Sequence, residues 1–491
     1  MTSIRTRHVL FFLAMGAGNL GCVPVSAFAD QPPADVAAGR ATYLQQCARC
    51  HGVTGRGDGW DAKRLYPRPR DLTSGVFKIR DTASGSAPTD EDVFGTITKG
   101  LTAGGMPDWR HLDEPVRWQL VAYLKTLSSN FTDNPPQPLS VGSDPGRART
   151  DPAVGKQVYE KLGCAACHGV HGRGNGPSAA SLTDHWEMAI RPADLTQGWN
   201  YRAGSDPQVI AWRVLTGIDG SPMPSYAEAA SPEEIWQLAY YVRSLQEEPR
   251  WTMIARAPHV IGALPSTADD PRWEAVPRTD VRLRNVVNAS GEMTAPPTLA
   301  AVSFKALHDG RSIAFRLTWH DPSEDRAQPP DALAIALQPE GASLGDSVTL
   351  QTWPLRDPPA LDLYAWSARE AMAREAIAKS YEPVLTGAAP VQGQFGAAHY
   401  DDGAWTLVVS RPLSPKTPHG AAELIPGRFV PVAFVVWDGA NGWQRAVSMW
   451  IDLIVQPAVV AADGGRGMPL LVVIICGLVL VLAIGLAIRK P

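Results

Sequence analysis

Cys47-Ala48-Arg49-Cys50-His51 and Cys164-Ala165-Ala166-Cys167-His168 decide the first half of this chain. Two cysteines three positions apart, with a histidine directly behind the second, is the spacing of covalent haem attachment. Both thiols add to the porphyrin vinyl groups and the imidazole reaches the iron. A zinc site built from the two cysteine pairs is the competing reading, and a histidine at the same place in both pairs favours haem. Working outward, the two pentads belong to a longer repeat. Cys47 and Cys164 are 117 positions apart, and so are Met106 and Met223. His51-Gly52-Val53 answers His168-Gly169-Val170, and Gly55-Arg56-Gly57-Asp58-Gly59 answers Gly172-Arg173-Gly174-Asn175-Gly176. Pro69-Arg70-Asp71-Leu72-Thr73 has its counterpart in Pro192-Ala193-Asp194-Leu195-Thr196.

Each unit is expected to open with a short helix carrying Gly39 and Tyr43, or Gly155 and Tyr159. Each closes with a helix of apolar period 3–4, around Leu120–Leu127 and Ile235–Leu245. Glycine in the opening helix lets the closing helix cross at close range, with Tyr123 or Tyr241 covering the contact.

These features resemble class I c-type cytochromes over about residues 34–130 and 151–247. The resemblance implies that His51 and His168 are proximal iron ligands and that Met106 and Met223, each followed by proline, are distal ones. The cofactor-binding set is then Cys47, Cys50, His51, Met106, Cys164, Cys167, His168 and Met223, with two covalently bound haem c groups. His111, His171 and His185 stand as alternative ligands, with His171 read as a solvated loop residue. Arg70 and Arg191 are candidates to pair with haem propionates, because a guanidinium suits bidentate carboxylate binding.

The ends of the chain point to a compartment. Residues 1–29 read as a secretory signal, with Arg5, Arg7 and His8 before an apolar run and Ala27-Phe28-Ala29 at the cleavage site. Lipidation at Cys22 is the rival reading. Residues 468–488 are uncharged, long enough to span a bilayer, and followed by Arg489-Lys490, so a single-pass transmembrane helix in a bacterial cytoplasmic membrane is expected, with the soluble domains on the periplasmic side. Membrane lipid is then one partner. Of six cysteines, four are in the haem motifs, Cys22 falls in the signal and Cys476 in the expected membrane span, leaving none for a structural disulfide. A net charge of −4 over 491 residues argues against nucleic acid.

A linker is expected at 131–150, where Pro135-Pro136, Pro145 and Gly146 fall. From Trp251 the texture changes to period-two alternation: Ile313, Phe315, Leu317, Trp319; Trp405, Leu407, Val409; Val432, Phe434, Val436; and Val447 through Val455 as one long strand. Asp-Pro, Asp-Gly and Asn-Gly turns between them predict an antiparallel β-sandwich over 251–458. The alanine-rich Ser367–Lys379 is read as an inserted helix. The fold class is therefore multidomain: two all-α cytochrome c domains, one antiparallel β-sandwich and one C-terminal transmembrane helix.

Residues 251–458 resemble the haem-binding domain of the ethylbenzene dehydrogenase γ-subunit family, related to DOMON sandwiches. The resemblance rests on Ala268–Trp273, Phe315–Asp321, Asp331–Ile335, Ala433–Gly439 and Arg445–Trp450. It implies a haem b held by methionine and lysine, but Leu344 and Arg445 stand at those places, and arginine has no lone pair to give to iron. Met293, Met372, Lys379 and Lys416 are the substitutes. Sandwiches of this family accompany periplasmic molybdenum oxidoreductases, of the nitrate reductase or nitrite oxidoreductase type. The implied partners are the catalytic and iron–sulfur subunits of such an enzyme, together with soluble cytochromes or quinol-linked redox proteins. The chain would then be a non-catalytic electron-transfer subunit in a respiratory chain. A dihaem peroxidase, or a ligand-binding sandwich with Trp353, Trp366, Trp405 and Trp443 exposed, are the alternatives.

Overall fold

The computed structural model describes residues 35–286, 298–327, 329–339, 360–369, 373–379, 398–416, 421–440 and 444–458. The first of two helical units has helices Val36–Gln46, Asp90–Lys99 and Glu114–Lys125, the second Pro152–Lys161, Pro207–Thr216 and Pro232–Ser244. Four of the six starts are fixed by side-chain caps, which satisfy first-turn N–H groups. Asp35 and Asp151 accept from backbone N–H groups of the opening helices. Thr89 with Asp92, and Ser231 with Glu234, form capping boxes.

The opening and closing helices of each unit cross at glycine. A Cβ on Gly39 would lie 2.0 Å from Gln119 O and 3.1 Å from Tyr123 Cβ; on Gly155, 2.3 Å from Gln237 O and 2.5 Å from Tyr241 Cβ. The tyrosine pairs Tyr43–Tyr123 and Tyr159–Tyr241 seal the crossings, with ring centroids 5.2 and 5.6 Å apart.

The chain between the units is laid down on both of them. Leu139 N donates to Asp81 O, and Val141, 3% exposed, accepts from Trp236 Nε1 at 2.9 Å. The units also lock directly. Arg80, fully buried, pairs with Asp219 at 2.7 Å and donates to Thr216 O at 3.1 Å. In return Arg213 donates to Lys78 O, Arg80 O and Asp81 Oδ1.

Among the described residues, twelve strands build the last domain: β1 (Ile254–Ala257), β2 (Thr279–Asn285), β3 (Ala301–His308), β4 (Ser312–His320), β5 (Ala332–Leu337), β6 (Leu361–Ser367), β7 (Arg374–Ala378), β8 (His399–Asp401), β9 (Ala404–Pro412), β10 (Phe429–Asp438), β11 (Gln444–Ser448) and β12 (Ile451–Val455). Their order is β7-β6-β5-β10-β11-β2-β3-β4-β9-β8, all antiparallel, with β12 pairing β10 and, in parallel, β1. β2 turns the corner: Thr279–Arg282 pair with β3 and Leu283–Asn285 with β11. The two layers share one core, in which Phe304 of β3 meets Phe434 of β10 at 4.9 Å and Trp366 of β6 meets Trp405 of β9 at 5.2 Å.

Three expectations are corrected. Among the described residues no helix is long and apolar enough to cross a membrane. The longest, Pro232–Ser244, has 13 residues, about 20 Å at 1.5 Å per residue against a hydrocarbon core of roughly 30 Å. The transmembrane helix therefore drops out of the fold class; residues 468–488, like 1–29 and Cys22, lie outside the described residues. Ser367–Lys379 is not a helix: Arg374–Ala378 form β7, paired with β6. The long final strand is two, broken at Met449-Trp450, with β11 bonded to β2 and β12 to β1.

Candidate haem sites

In the first unit Cys47 ends the opening helix and Ala48–His51 form a single helical turn; in the second, Cys164 precedes the turn Ala165–His168. One turn of helix sets both thiols and the imidazole on neighbouring faces. His51 Nδ1 donates to Arg70 O at 3.0 Å, and His168 Nδ1 to Ala193 O at 2.9 Å. That bond fixes the tautomer and leaves Nε2 with its lone pair, which is how a ligating histidine is prepared. Burial lowers both imidazole pKa values and so favours the neutral ligand form. Burial pushes the Cys47 and Cys164 thiols up to about 11.

The backing is repeated in detail. Tyr43 OH donates to Gly52 O at 2.7 Å, and Tyr159 OH to Gly169 O at 2.6 Å. Asp71 and Asp194 each take the N–H and hydroxyl of the threonine two residues on. Met106 and Met223 sit half-buried at the end of tight loops. Leu101 and Met106 exchange backbone hydrogen bonds, and Ile218 N donates to Met223 O at 3.1 Å.

The donor set fits haem. Beside the first site Arg70, Lys78 and Arg202 come together with Asp184 as their acidic neighbour. Arg70 Nη1 is buried with no hydrogen-bond partner among the described residues, and its guanidinium lies 4.6 Å over Trp186 of the second unit. Burial lowers Arg70 to about 10 and Lys78 to about 8, with the neighbouring cations adding to the Lys78 shift. This is a surplus of positive charge suited to carboxylates. Arg202 belongs to the second unit but packs on the first, 3.5 Å from where a Gly104 Cβ would stand. Arg191 is half-buried and acts electrostatically on Tyr66 of the first unit.

The alternative ligands are placed elsewhere. His185 Nδ1 contacts Gly220 O at 3.1 Å, His111 packs on Trp109, and His171 bonds Asp402 of the sandwich at 2.6 Å. His171 is thus a docking residue, which its glycine-rich surroundings gave no sign of. Sequence reading also missed His320, which bonds Asp194 at 2.6 Å directly behind the His168 support.

The described residues of the sandwich do not fit a haem b. Trp319, Trp405, Phe304, Phe315 and Phe434, each at most 1% exposed, fill the space between the layers. Lys379 and Lys416 are exposed, Met253 and Met449 are over half exposed, and Met293, Leu344 and Met372 lie outside the described residues. Trp366 and Trp405 are core residues, so they offer no exposed aromatic stripe; Trp353 and Trp443 lie outside the described residues.

Two cytochrome-type helical units in tandem, each with a Cys-x-x-Cys-His turn backed by a carbonyl, define the class. Residues 34–124 match the family of cytochrome c oxidase, cbb3-type, subunit III, and residues 152–246 match the cytochrome c family. The chain thus carries tandem cytochrome c domains, which transfer electrons through covalently bound haem c. It is 28% identical over 216 residues to the cbb3-type cytochrome c oxidase subunit CcoP of Azospirillum brasilense (43% of this chain, 62% of that one). It is 27% identical to subunit FixP of Azorhizobium caulinodans (43% and 59%). Both matches span less than two thirds of those proteins. Among solved structures, the Kuenenia stuttgartiensis reducing HAO-like protein complex Kustc0457/Kustc0458 is 41% identical over 44% of this chain and 99% of that chain, with a TM-score of 0.41. A carbohydrate binding module family 9 from Caldicellulosiruptor kristjanssonii is 12% identical over 44% and 99%, with a TM-score of 0.28.

Proposed function

We infer that this chain is a dihaem electron relay outside the cytoplasm, passing single electrons between redox proteins of a respiratory chain. Cys47, Cys50, His51 and Met106 hold one haem c, and Cys164, Cys167, His168 and Met223 the other. The repeated His Nδ1-to-carbonyl bond carries the reading, because it leaves Nε2 as the only imidazole donor in both units. When bound, haem supplies a reversible one-electron couple at iron.

The protein's own residues set the terms of that exchange. Arg70 O and Ala193 O hold the imidazoles in orientation. The Met106 and Met223 thioethers favour the ferrous form and raise the potential. Arg70, Lys78 and Arg202 would neutralise propionate charge at the first site, charge that would otherwise oppose reduction. The second unit leans on the first through Arg80, Asp219 and Arg213, next to the Met223 loop, which keeps the two sites in one rigid path. With Met106 and Met223 as the second ligands, neither haem would offer an open position to peroxide, which disfavours a peroxidase.

The resemblance of 251–458 to subunits of molybdenum oxidoreductases supports a partner of that class, with its catalytic and iron–sulfur subunits upstream or downstream of the relay. The test is an intact-mass and pyridine haemochrome measurement on the protein from native cells. Two haem c per chain are expected, one in Cys164→Ser/Cys167→Ser, and a molybdenum subunit in the co-purified complex. A zinc ion and no haem would sink the reading.

A further inference from the structure

Three aspartates of the sandwich take no part in the haem sites and are buried together where three strand ends meet. Asp321 follows β4, Asp331 precedes β5 and Asp438 closes β10, all at most 1% exposed. One carboxylate oxygen from each lies within 4.8 Å of the others. Asp331 is held rigidly: Oδ1 accepts from Gly439 N at 2.8 Å, and Oδ2 from Asp325 N at 2.8 Å and Trp405 Nε1 at 2.9 Å. Asp438 accepts from the Thr298 hydroxyl. Asp321 differs. Its Oδ1 takes a 3.2 Å bond from Ser323 N, while Oδ2, sealed from water, has no hydrogen-bond partner among the described residues.

A buried acceptor without a donor is costly, and more so beside two further carboxylates. Arg326 in the same loop does not relieve it, being turned to Glu324. Burial raises Asp321 well above the usual carboxylate range, with Asp438 and Asp331 adding to it, and pushes Asp331 up to about 6. Three carboxylates this close do not all carry charge unless a cation is shared among them.

We propose that Asp321, Asp331 and Asp438 bind one hard divalent cation, calcium by its chemistry, which ties the ends of β4, β5 and β10 together. The donors are oxygen only, with no cysteine or histidine in the cluster, which selects against zinc and copper. Calcium accepts an irregular shell of six to eight oxygens, completed here by backbone carbonyls or water, whereas magnesium demands a regular octahedron. The ion would also brace the face that meets the cytochromes. His320, next to Asp321, bonds Asp194, and Asp321 N donates to Gly403 O at 2.9 Å, beside the docking residue Asp402.

The rival arrangement is a proton shared between Asp321 and Asp438. Asp321→Asn separates the two, because an amide imitates a protonated acid, while for a cation it keeps an oxygen but loses the charge that makes binding tight. The haem-loaded full chain is dialysed against metal-free buffer, analysed for metals by mass spectrometry, and unfolded by calorimetry with calcium, magnesium or a chelator. The wild type is expected to keep one calcium per chain and to lose about 5 °C or more from the sandwich transition on chelation. Calcium restores the loss and magnesium does not, and Asp321→Asn binds calcium more weakly, with a smaller response. A metal-free wild type whose transition ignores chelator and calcium overturns the proposal. So does an Asp321→Asn protein that binds calcium as tightly as the wild type. If that variant does not fold, metal content and chelator response of the wild type decide alone.

Discussion

Arg411 lies fully buried in β9, 3.0 Å from Asp362 of β6 and 3.1 Å from Glu375 of β7, with both acids at most 1% exposed. It also donates to Ala422 O, so one guanidinium fastens three segments. Arg411→Met would strand two buried carboxylates, at a cost of about 3–5 kcal/mol in denaturant unfolding. Burial raises Glu375 to about 7, with Asp362 adding to it and Arg411 opposing. Its folded pKa thus stands above the unfolded value, so the folded state holds a proton that the unfolded state releases between about pH 4.5 and 7. Stability from this group is complete below that window and is lost as pH rises through it. Glu375→Gln should flatten the pH dependence of the unfolding midpoint over that range. None of this was legible in the sequence, where Glu375 is one charge in an alanine-rich run. The haem residues were legible, because their chemistry demands fixed spacing. Their supports, Arg70 O and Ala193 O, were not, since every residue carries a carbonyl.

Among elements, the helix crossings were readable because glycine and tyrosine recur at the same offsets in both units. Gly155→Val would drive a branched side chain into Gln237 O. The second unit should lose its packing, about 3 kcal/mol or more by overpacking, and haem incorporation should fall to near one per chain while the first unit's spectrum persists. Ser367–Lys379 shows the opposite case. Its alanines favour helix intrinsically, but Arg374–Ala378 gain an entire ladder with β6 and place Glu375 on Arg411, so pairing outweighs a preference of tenths of a kcal/mol per residue. The break at Met449-Trp450 was hidden for a similar reason. Alternation records which face is buried, and β11 and β12 bury the same kind of face against different neighbours.

For the whole molecule, the sandwich meets the second cytochrome unit through a hairpin tip. Asp402 and Gly403, both at positive φ, make the two-residue turn between β8 and β9. Asp402 reaches His171 at 2.6 Å, Arg173 at 3.4 Å and Asn175 at 3.5 Å. Asp402→Ala together with His320→Ala should loosen this contact, seen as faster proteolysis around residues 247–253 with both haem spectra unchanged. Sequence reading found the parts but not this assembly, because contacts between residues more than 200 positions apart leave no local pattern.

That hairpin also explains why duplication did not yield two equivalent docking places. At the matching loop position the first unit has Asp58 and the second Asn175, and both close their loops in the same way, against Gly52 and Gly169. Asn175 donates to the Asp402 carboxylate at 3.5 Å, where an aspartate would face it with like charge, and His171, its 2.6 Å partner, stands where the first unit has Thr54. Two exchanges in one loop, His171 for Thr54 and Asn175 for Asp58, thus address the sandwich to the second copy.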